Sequence, residues 1–436
     1  MERLSYPTSV QIELTEACNQ KCIHCYNYWR YDSDKVKRDE NNVDKFITII
    51  NKLNDCGVSL LTLTGGEPLL RPELFFSMLN KAKKYDMEVG LNSNAVLINK
   101  EMSDRMYNEG LDHALISLLG TEKTHNYISN LPNGYRHTCE GITNLVKSGV
   151  SVTVNMVSSK MNQEEIYQVG KIINDLGVKN FCVTPMVPSH ESHLGYILTG
   201  AECKRSLLEL IKTKHDFGFN IDSLEPIARC LFSEKEEDDF VSFFGNRICS
   251  AAVSSLAISS RGNTRPCIHS DNQFGNILIN DLSEIWQDMG FWSSSEILPE
   301  KCTKCNANII CEGGCRMSAK LVNGAYNAND MYMTEPIMDF ERINKLPERR
   351  NLYFDNETSL KINDHIRYRK EKFGWVVYVY SNLEFCTDSG YDFLKNLNSK
   401  TTFTVNQLAE ELNISDDLIL PIIKKLLNNK IIVYSN

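Results

Sequence analysis

The stretch Val10-Gln-Ile-Glu-Leu-Thr-Glu-Ala-Cys18-Asn-Gln-Lys-Cys22-Ile-His-Cys25 joins a short strand pattern directly to three closely spaced cysteines. Three thiolates on one short loop can bind three irons of a cubane iron–sulfur cluster, which leaves the fourth iron open to a substrate or cofactor. A structural zinc site would need four protein ligands, and no fourth cysteine or exposed histidine follows at the right distance. The spacing therefore favours a cluster over zinc or a chance grouping, with His24 packed beside it.

Residues 8 to about 188 alternate strand patterns with amphipathic helix patterns, which indicates βαβ units and a parallel sheet. The strand candidates are Val10–Leu14, Ser59–Leu63, Glu88–Asn92, His113–Leu118, Ser151–Val157 and Asn180–Thr184. The helix candidates include Val43–Leu53, Pro72–Lys84, His137–Lys147 and Gln163–Leu176. Six such units predict an α/β fold with a partial (β/α)6, TIM-like barrel, and place the chemistry on the loops after the strands.

The rest of the chain divides into a cysteine-rich unit and a C-terminal unit. Residues 189–247 are predicted to be mainly helical and charged, with a solvated acidic face at Glu234–Asp239. Strand-like Trp375–Tyr380 and Glu384–Phe385 precede three helical patterns, the second opening on a capping box at Thr404. We predict a barrel at 1–235, a cysteine-rich auxiliary-cluster domain at 236–335, a linker at 336–358 and a winged-helix-like domain at 359–436.

Composition narrows the class of protein further. The 436 residues carry a net charge of −9, which argues against a general nucleic-acid or anionic-membrane surface. No apolar run approaches the roughly 18 residues of a membrane span, and Met1–Pro7 has no signal-peptide segment. Fifteen clustered cysteines in a cytoplasmic chain favour metal over disulfides. The cysteines isolated in sequence are interpreted as small buried hydrophobes; they are Cys56, Cys139, Cys182, Cys203, Cys230 and Cys386.

Four motifs together resemble the radical S-adenosylmethionine superfamily. Cys18-x-x-x-Cys22-x-x-Cys25 follows the first strand, Gly65-Gly66-Glu67-Pro68 the second and Asn92-Ser93-Asn94-Ala95 the third, while Ser117 ends the fourth. Ala95 stands where the family usually has Gly, and Leu119 where it commonly has Asp.

The resemblance implies a [4Fe–4S] cluster on Cys18, Cys22 and Cys25 that binds S-adenosylmethionine. It implies contacts to this cofactor from Gly65, Gly66, Glu67, Pro68, Ser93, Asn94 and Ser117. An electron, from a donor such as ferredoxin or flavodoxin, would break a carbon–sulfur bond and yield a 5′-deoxyadenosyl radical that abstracts hydrogen from substrate. No side chain is assigned as catalytic.

A second cysteine group resembles the SPASM extension, which carries auxiliary iron–sulfur clusters. The resemblance assigns Cys249, Cys267 and Cys315 to a nearer cluster, and Cys302, Cys305 and Cys311 to a farther one. No cysteine closely follows Cys249, so the nearer cluster is expected to have an open iron. Asp330-Met-Tyr-Met333 stands where Asp-x-x-Cys closes the farther cluster, which makes Asp330 our candidate for the fourth ligand. Met333 as ligand, an open site, a missing cluster and a pair of structural zinc knuckles are the alternatives.

Residues 359–436 resemble the recognition element of ribosomal peptide maturases, the PqqD-like fold, in which a leader peptide adds a strand to a sheet edge. A winged-helix DNA-binding domain is the alternative, but residues 401–436 hold three lysines and four acids, which is no basic footprint.

The resemblances together predict a cytoplasmic, oxygen-sensitive peptide maturase that modifies a ribosomally made precursor bound through its leader. The modification would be a thioether, a carbon–carbon crosslink, an epimerised residue or an oxidised one. The first alternative is a sulfatase-maturing or small-molecule enzyme of the same superfamily. The second, an iron–sulfur transcriptional sensor, is disfavoured because a sensor needs no pocket for S-adenosylmethionine at Gly65–Pro68.

Overall fold

A nine-stranded sheet forms the framework of the protein. The computed structural model describes residues 3–27, 43–233, 236, 248–339, 354–380 and 382–435. The strands are β1 (Ser9–Glu13), β2 (Leu60–Thr64), β3 (Glu88–Ser93), β4 (His113–Ser117), β5 (Ser151–Ser158), β6 (Asn180–Pro185), β7 (Asn220–Asp222), β8 (Ser255–Ile258) and β9 (Thr264–Arg265). Their spatial order is β7-β6-β5-β4-β3-β2-β1-β8-β9, and every neighbouring pair is parallel except β8–β9.

Helices connect the parallel strands, as expected for βαβ units. They are α1 (Val43–Asp55), α2 (Pro72–Lys84), α3 (Lys100–Asn108), α4 (Glu122–Ser129), α5 (Gly134–Ser148), α6 (Ile166–Asp175) and α7 (Gly200–Phe217). Each strand from β1 to β6 lies within one residue of its predicted bounds. The partial TIM-like barrel is therefore confirmed. The short strand β7, which follows α7, was not predicted.

The barrel helices form because their apolar residues share one face. In α1 the side chains of Phe46, Ile49, Ile50 and Leu53 are buried, and they join one large apolar cluster with the strands. Burying each such side chain stabilises the fold by roughly 1.5–3 kcal/mol. The predicted acidic run at Glu234–Asp239 lies outside the described residues except for Glu236.

The cysteine-rich unit continues the barrel sheet. It contains α8 (Leu282–Asp288), α9 (Glu300–Thr303), α10 (Asn308–Cys311) and α11 (Arg316–Asn323). Its strand β8 pairs in parallel with β1, and Arg265 of β9 donates to the Glu13 carboxylate of β1 at 2.6 Å, with both side chains buried. A buried charge pair of this kind fixes the two segments in one register, since separating it would leave a charge unpaired.

The C-terminal unit has its own core. Its strands are β10 (Leu360–Ile362), β11 (Arg367–Glu371), β12 (Gly374–Val379), β13 (Asn382–Cys386) and β14 (Ile432–Tyr434), and its helices are α12 (Asp388–Asn398), α13 (Val405–Leu412) and α14 (Asp416–Asn428). β11, β12 and β13 form an antiparallel sheet in that order, and β10 pairs with β14. The capping box of Thr404 with Gln407 opens α13 as predicted. Of the predicted linker, residues 340–353 lie outside the described part.

This unit docks where the barrel strands begin. Arg369 donates to the carbonyls of Tyr6 and Cys56 at 2.8 and 3.2 Å, and Arg367 donates to the carbonyl of Val58 at 3.1 Å. Those carbonyls precede β1 and β2. The C-terminal unit thus covers the amino-terminal face of the barrel, away from the carboxyl ends of the strands.

Membrane association through a spanning helix finds no support in the fold. Among the helices that the structure describes, none combines the length and the apolar character that crossing a bilayer requires.

Candidate active site and thiol clusters

A cavity of about 790 Å³ opens at the carboxyl ends of the parallel strands, the end of such a barrel where substrates bind. Nine of the predicted site residues on the barrel line it: Cys18, Cys22, Cys25, Gly65, Gly66, Glu67, Ser93, Asn94 and Ser117. Pro68 lies instead buried in the short 3₁₀ helix that follows. The volume of the cavity falls within the roughly 300–1,000 Å³ typical of small-molecule sites, so it has room for a nucleoside cofactor.

The three thiols after β1 face one another on an anchored loop. The backbone N–H groups of Lys21 and Ile23 donate to carbonyls at the end of α4, at 3.2 and 2.9 Å. Burial, followed by the neighbouring thiols of Cys25 and Cys18, raises the pKa of Cys22 well above its usual value. Three thiols that repel one another when ionised form a donor set suited to a cationic metal centre. Burial also lowers the pKa of His24 to about 4, so its ring is neutral at physiological pH.

The loop after β2 packs directly against the cysteine loop. The N–H groups of Gly66 and Glu67 donate to the carbonyls of Thr15 and Ala17, both at 2.8 Å. Gly65 has φ +147°, and a Cβ there would come within 2.6 Å of the Thr15 carbonyl. Glycine is therefore required for two backbones to approach this closely.

Glu67 ties the loops after β2 and β3 together. Its carboxylate accepts from Ser93 Oγ at 2.8 Å and from the N–H groups of Asn94 and Leu69 at 3.0 and 3.1 Å. The side chain is buried, and this burial raises its pKa to about 7, although the hydrogen bonds act in the opposite direction. Glu67 therefore holds together the two loops, after β2 and after β3, that form this wall of the cavity.

The turn after β3 has the backbone of a glycine-containing turn without the glycine. Ala95 has φ +59°, the left-handed region that alanine seldom occupies. Thr138 of α5 donates to the Asn94 carbonyl at 2.9 Å and so holds the turn in place. At the next strand, Leu119 is buried and its N–H donates to His125 Nδ1 at 3.1 Å.

Two polar residues in the carboxyl-terminal halves of β5 and β6 also belong to the site and were not predicted from sequence. Thr184 Oγ1 donates to Asn155 Oδ1 at 2.7 Å, both side chains line the cavity, and Asn155 is paired in register with Ser117. Polar residues in the carboxyl-terminal halves of consecutive barrel strands were the available signal.

A second group of thiols lines the same cavity. Cys249, Cys267 and Cys315 are all among its lining residues, together with Glu225 and His269. Burial raises the pKa of Cys249 to about 11 and that of Cys267 to about 12. Glu225 faces this group and pairs with His269 Nε2 at 3.2 Å. The predicted nearer group is thus assembled beside the cysteine loop of the barrel.

The third group of thiols lies outside the cavity. The N–H of Cys305 donates to the Cys302 carbonyl at 3.2 Å, and burial followed by the charge of Cys311 raises the pKa of Cys302 to about 12, so the three predicted thiols are near one another. Asp330 is also near this group, because its charge, after burial, raises the pKa of Cys311. Its two carboxylate oxygens accept from the N–H groups of Cys315 and Tyr332, at 3.0 and 2.8 Å.

No set of three His, Cys, Asp or Glu side chains in the described parts of the chain has the close spacing that a single metal ion would need. An iron–sulfur cluster, by contrast, distributes its cysteine ligands over several iron atoms.

Comparison with known families agrees with this arrangement. Residues 12–171 match the model of the radical SAM superfamily, and residues 249–306 match the SPASM iron–sulfur cluster-binding domain. The chain therefore carries a radical SAM domain and a SPASM domain. The two domains confirm the prediction of S-adenosylmethionine and iron–sulfur clusters as cofactors.

Individual relatives act on different substrates. The chain is 24% identical over 343 residues to an AdoMet-dependent heme synthase of Methanosarcina barkeri, covering 75% of this chain and 96% of that protein. It is 23% identical to the PqqA peptide cyclase of Gluconobacter oxydans, covering 77% of this chain and 93% of that protein. The structure of Streptococcus suis SuiB bound to its precursor peptide SuiA superposes with a TM-score of 0.57 at 19% identity, covering 75% of each chain.

Proposed function

We propose that this enzyme modifies a ribosomally made precursor peptide, which it binds through its C-terminal unit. Cys18, Cys22 and Cys25 hold the cluster that binds S-adenosylmethionine, and the two SPASM thiol groups hold auxiliary clusters. The cofactor, when bound, supplies a radical that abstracts hydrogen from the substrate. Around it, the chain's own residues position the cysteine loop, close the pocket through Glu67 and present Asn155 and Thr184 to the substrate.

The outer edge of β13, with helix α14 beside it, is the observation that carries the peptide assignment. In the described C-terminal sheet, β13 pairs with β12 on one side only, so its other edge offers free backbone groups to an incoming strand. Helix α14 runs next to this edge, because Lys425 and Asn429 both contact the carboxylate of Glu384 on β13, at 2.5 and 2.6 Å.

The face of α14 that contacts Glu384 continues toward the start of the helix, where it is apolar and exposed. Leu418 is 64% exposed and Ile422 47%, and with Lys425 and Asn429 they recur at the three- and four-residue spacing of one helix face. An edge strand with apolar side chains next to it fits an extended peptide that pairs by its backbone and buries alternate side chains.

Modification of a tetrapyrrole is the second candidate, favoured by the similarity to the heme synthase over most of that protein's length. A tetrapyrrole substrate would need the cavity in the barrel but not the edge of β13.

Ile422→Glu tests the peptide proposal. The charge should weaken binding of a precursor leader peptide at least about tenfold, or ~1.4 kcal/mol, while cleavage of S-adenosylmethionine without peptide is unchanged. Fluorescence anisotropy with labelled leader peptide measures the affinity. Ile279→Glu is the matched control, since Ile279 is 82% exposed in the cysteine-rich unit. Equal leader affinity in both variants, together with turnover of a tetrapyrrole, would reject the peptide assignment.

A further inference from the structure

Cys230 was interpreted from sequence as an isolated buried cysteine, but the fold brings it to the third group of thiols. It lies in a 3₁₀ turn at Arg229–Leu231, downstream of β7 and outside the segment that matches the SPASM model. The turn contacts the group directly, because the N–H of Arg229 donates to Cys311 Sγ at 3.4 Å.

Packing places Cys230 beside this group of thiols. Cys230 and Cys305 pack against the same pair of buried side chains, Ala307 and Ile337. The residue before Cys230, Arg229, is in direct contact with the thiol of Cys311. Thiols from two distant parts of the chain therefore meet in one place.

The segment that lacks the expected closing cysteine passes directly over Cys230. The N–H of Thr334, the residue after Met333, donates to Cys230 Sγ at 3.2 Å, and the Thr334 hydroxyl donates to the Cys230 carbonyl. Met333 and Cys230 also pack against one apolar cluster. The thiol of Cys230 thus lies close to where a closing cysteine at position 333 would have placed its own thiol.

The sulfur atoms here also accept backbone hydrogen bonds. Besides the two bonds already described, the N–H of Ile337 donates to Cys305 Sγ at 3.3 Å. N–H donors to cysteine sulfur stabilise the thiolate form and tune the potential of an iron–sulfur cluster. Asp330, by contrast, uses both carboxylate oxygens to hold the backbone at Cys315 and Tyr332.

We propose that Cys230 is the fourth ligand of the auxiliary cluster held by Cys302, Cys305 and Cys311, in place of the closing cysteine. The inference rests on the proposed assignment of those three cysteines as cluster ligands. Each thiol releases one proton to solvent and binds iron as a thiolate, so the cluster is fully ligated by protein. A cluster with no open iron suits electron transfer better than substrate binding. Asp330 is then a positioning residue for the turn at Cys315.

Cys230→Ala tests the assignment in the full-length protein, reconstituted anaerobically with ferrous iron and sulfide. We expect loss of at least one iron per chain and an altered electron paramagnetic resonance spectrum of the auxiliary cluster. Cleavage of S-adenosylmethionine should persist, because the barrel cysteines are untouched. Cys139→Ala in α5 is the matched control and should keep the wild-type iron content and spectrum. Wild-type iron content and spectrum in Cys230→Ala, with an altered spectrum in Asp330→Ala, would overturn the proposal in favour of the carboxylate.

Protection from alkylation provides a test that needs no variant. Iodoacetamide followed by peptide mass spectrometry should label Cys230 and Cys305, which are both partly exposed, in metal-free protein and neither of them after reconstitution, while Cys386 is labelled equally in both. Equal labelling of Cys230 in the two states would reject the ligand role. If Cys305 were also labelled equally, the failure would lie with the proposed auxiliary cluster itself.

Discussion

At the residue scale, we expect the cysteine loop after β1 to tolerate substitution least. We expect Cys25→Ala to abolish formation of 5′-deoxyadenosine under reducing conditions, because the variant leaves only two of the three proposed cluster ligands on that loop. Chromatographic measurement of 5′-deoxyadenosine after anaerobic reconstitution checks this, with Cys139→Ala as a control that retains activity. Full cleavage by Cys25→Ala would show that the cluster is held elsewhere.

Glu67 should make stability depend on pH. Burial raises its pKa from 4.5 to about 7, so the folded protein keeps a proton that the unfolded chain releases. The resulting stabilisation is complete below the ordinary pKa of the carboxyl and is lost as pH rises through about 7. Relative to Glu67→Gln, which is neutral at every pH, the wild type should lose about 1 kcal/mol between pH 6 and 8.

Thermal unfolding of the two reconstituted proteins at pH 6, 7 and 8 measures this difference. Parallel pH profiles would mean that Glu67 is ionised throughout, held by its three hydrogen-bond donors.

Sequence alone predicted the grouping of the barrel cysteines better than that of the proposed auxiliary ligands. Cys18, Cys22 and Cys25 are close in sequence, so a single loop places them together. Cys230 and Cys311 are brought together only by the fold, and spacing carries no information on such a long-range contact. Asp330 stands near the missing cysteine in sequence, whereas in the structure its carboxylate holds the backbone at Cys315 and Tyr332.

At the scale of elements, β1 to β6 were predictable because their apolar runs alternate with amphipathic helices. β11 was not, since Arg367–Glu371 reads Arg-Tyr-Arg-Lys-Glu, a charged run with no apolar alternation. Its arginines contact the barrel instead. This contact could not be predicted before the surfaces of the C-terminal unit and of the barrel were both known.

Arg369→Ala should loosen the C-terminal unit from the barrel. The variant loses two hydrogen bonds to barrel carbonyls and the 2.8 Å pair with Glu371, whose side chain is 1% exposed. An unpaired buried carboxylate destabilises this interface by about 3 kcal/mol. Hydrogen–deuterium exchange at residues 56–60 and in β11 should therefore be faster.

Lys370→Ala is the matched control from the same strand, because Lys370 is half exposed and pairs with the exposed Asp388. Exchange that is equally slow in both variants would show that the apolar contacts of Leu4, Val376 and Tyr378 hold the interface without Arg369.

At the scale of the whole molecule, the two thiol groups in the cavity and the third group outside it form a series leading away from the barrel. Strand β8 beside β1 makes this possible, since it fixes the cysteine-rich unit to the barrel sheet at the Arg265–Glu13 pair. The cysteine-rich unit thereby shares one sheet with the strand that precedes the cysteine loop, which fixes where its thiol groups lie relative to that loop.

If the substrate is a peptide bound through its leader, as proposed above, the docking of the C-terminal unit at the amino-terminal face of the barrel sets a minimum length for that peptide. A leader held beside β13 is on one side of the barrel, and the cavity opens on the other. The five-residue strand β1 alone spans roughly 17 Å, so an extended peptide needs at least about five residues to cover that depth, and more to pass around the rim.

The depth of the barrel would then determine which residue of the precursor reaches the cavity and is modified. Deleting about five residues between leader and modification site should stop modification without changing leader affinity, whereas replacing the same residues with Gly and Ser should preserve it. Mass spectrometry of the treated peptides checks both outcomes, and modification of the shortened peptide at the full rate would contradict them. Precursors of this enzyme are thus expected to tolerate changes of sequence in the spacer far better than changes of length.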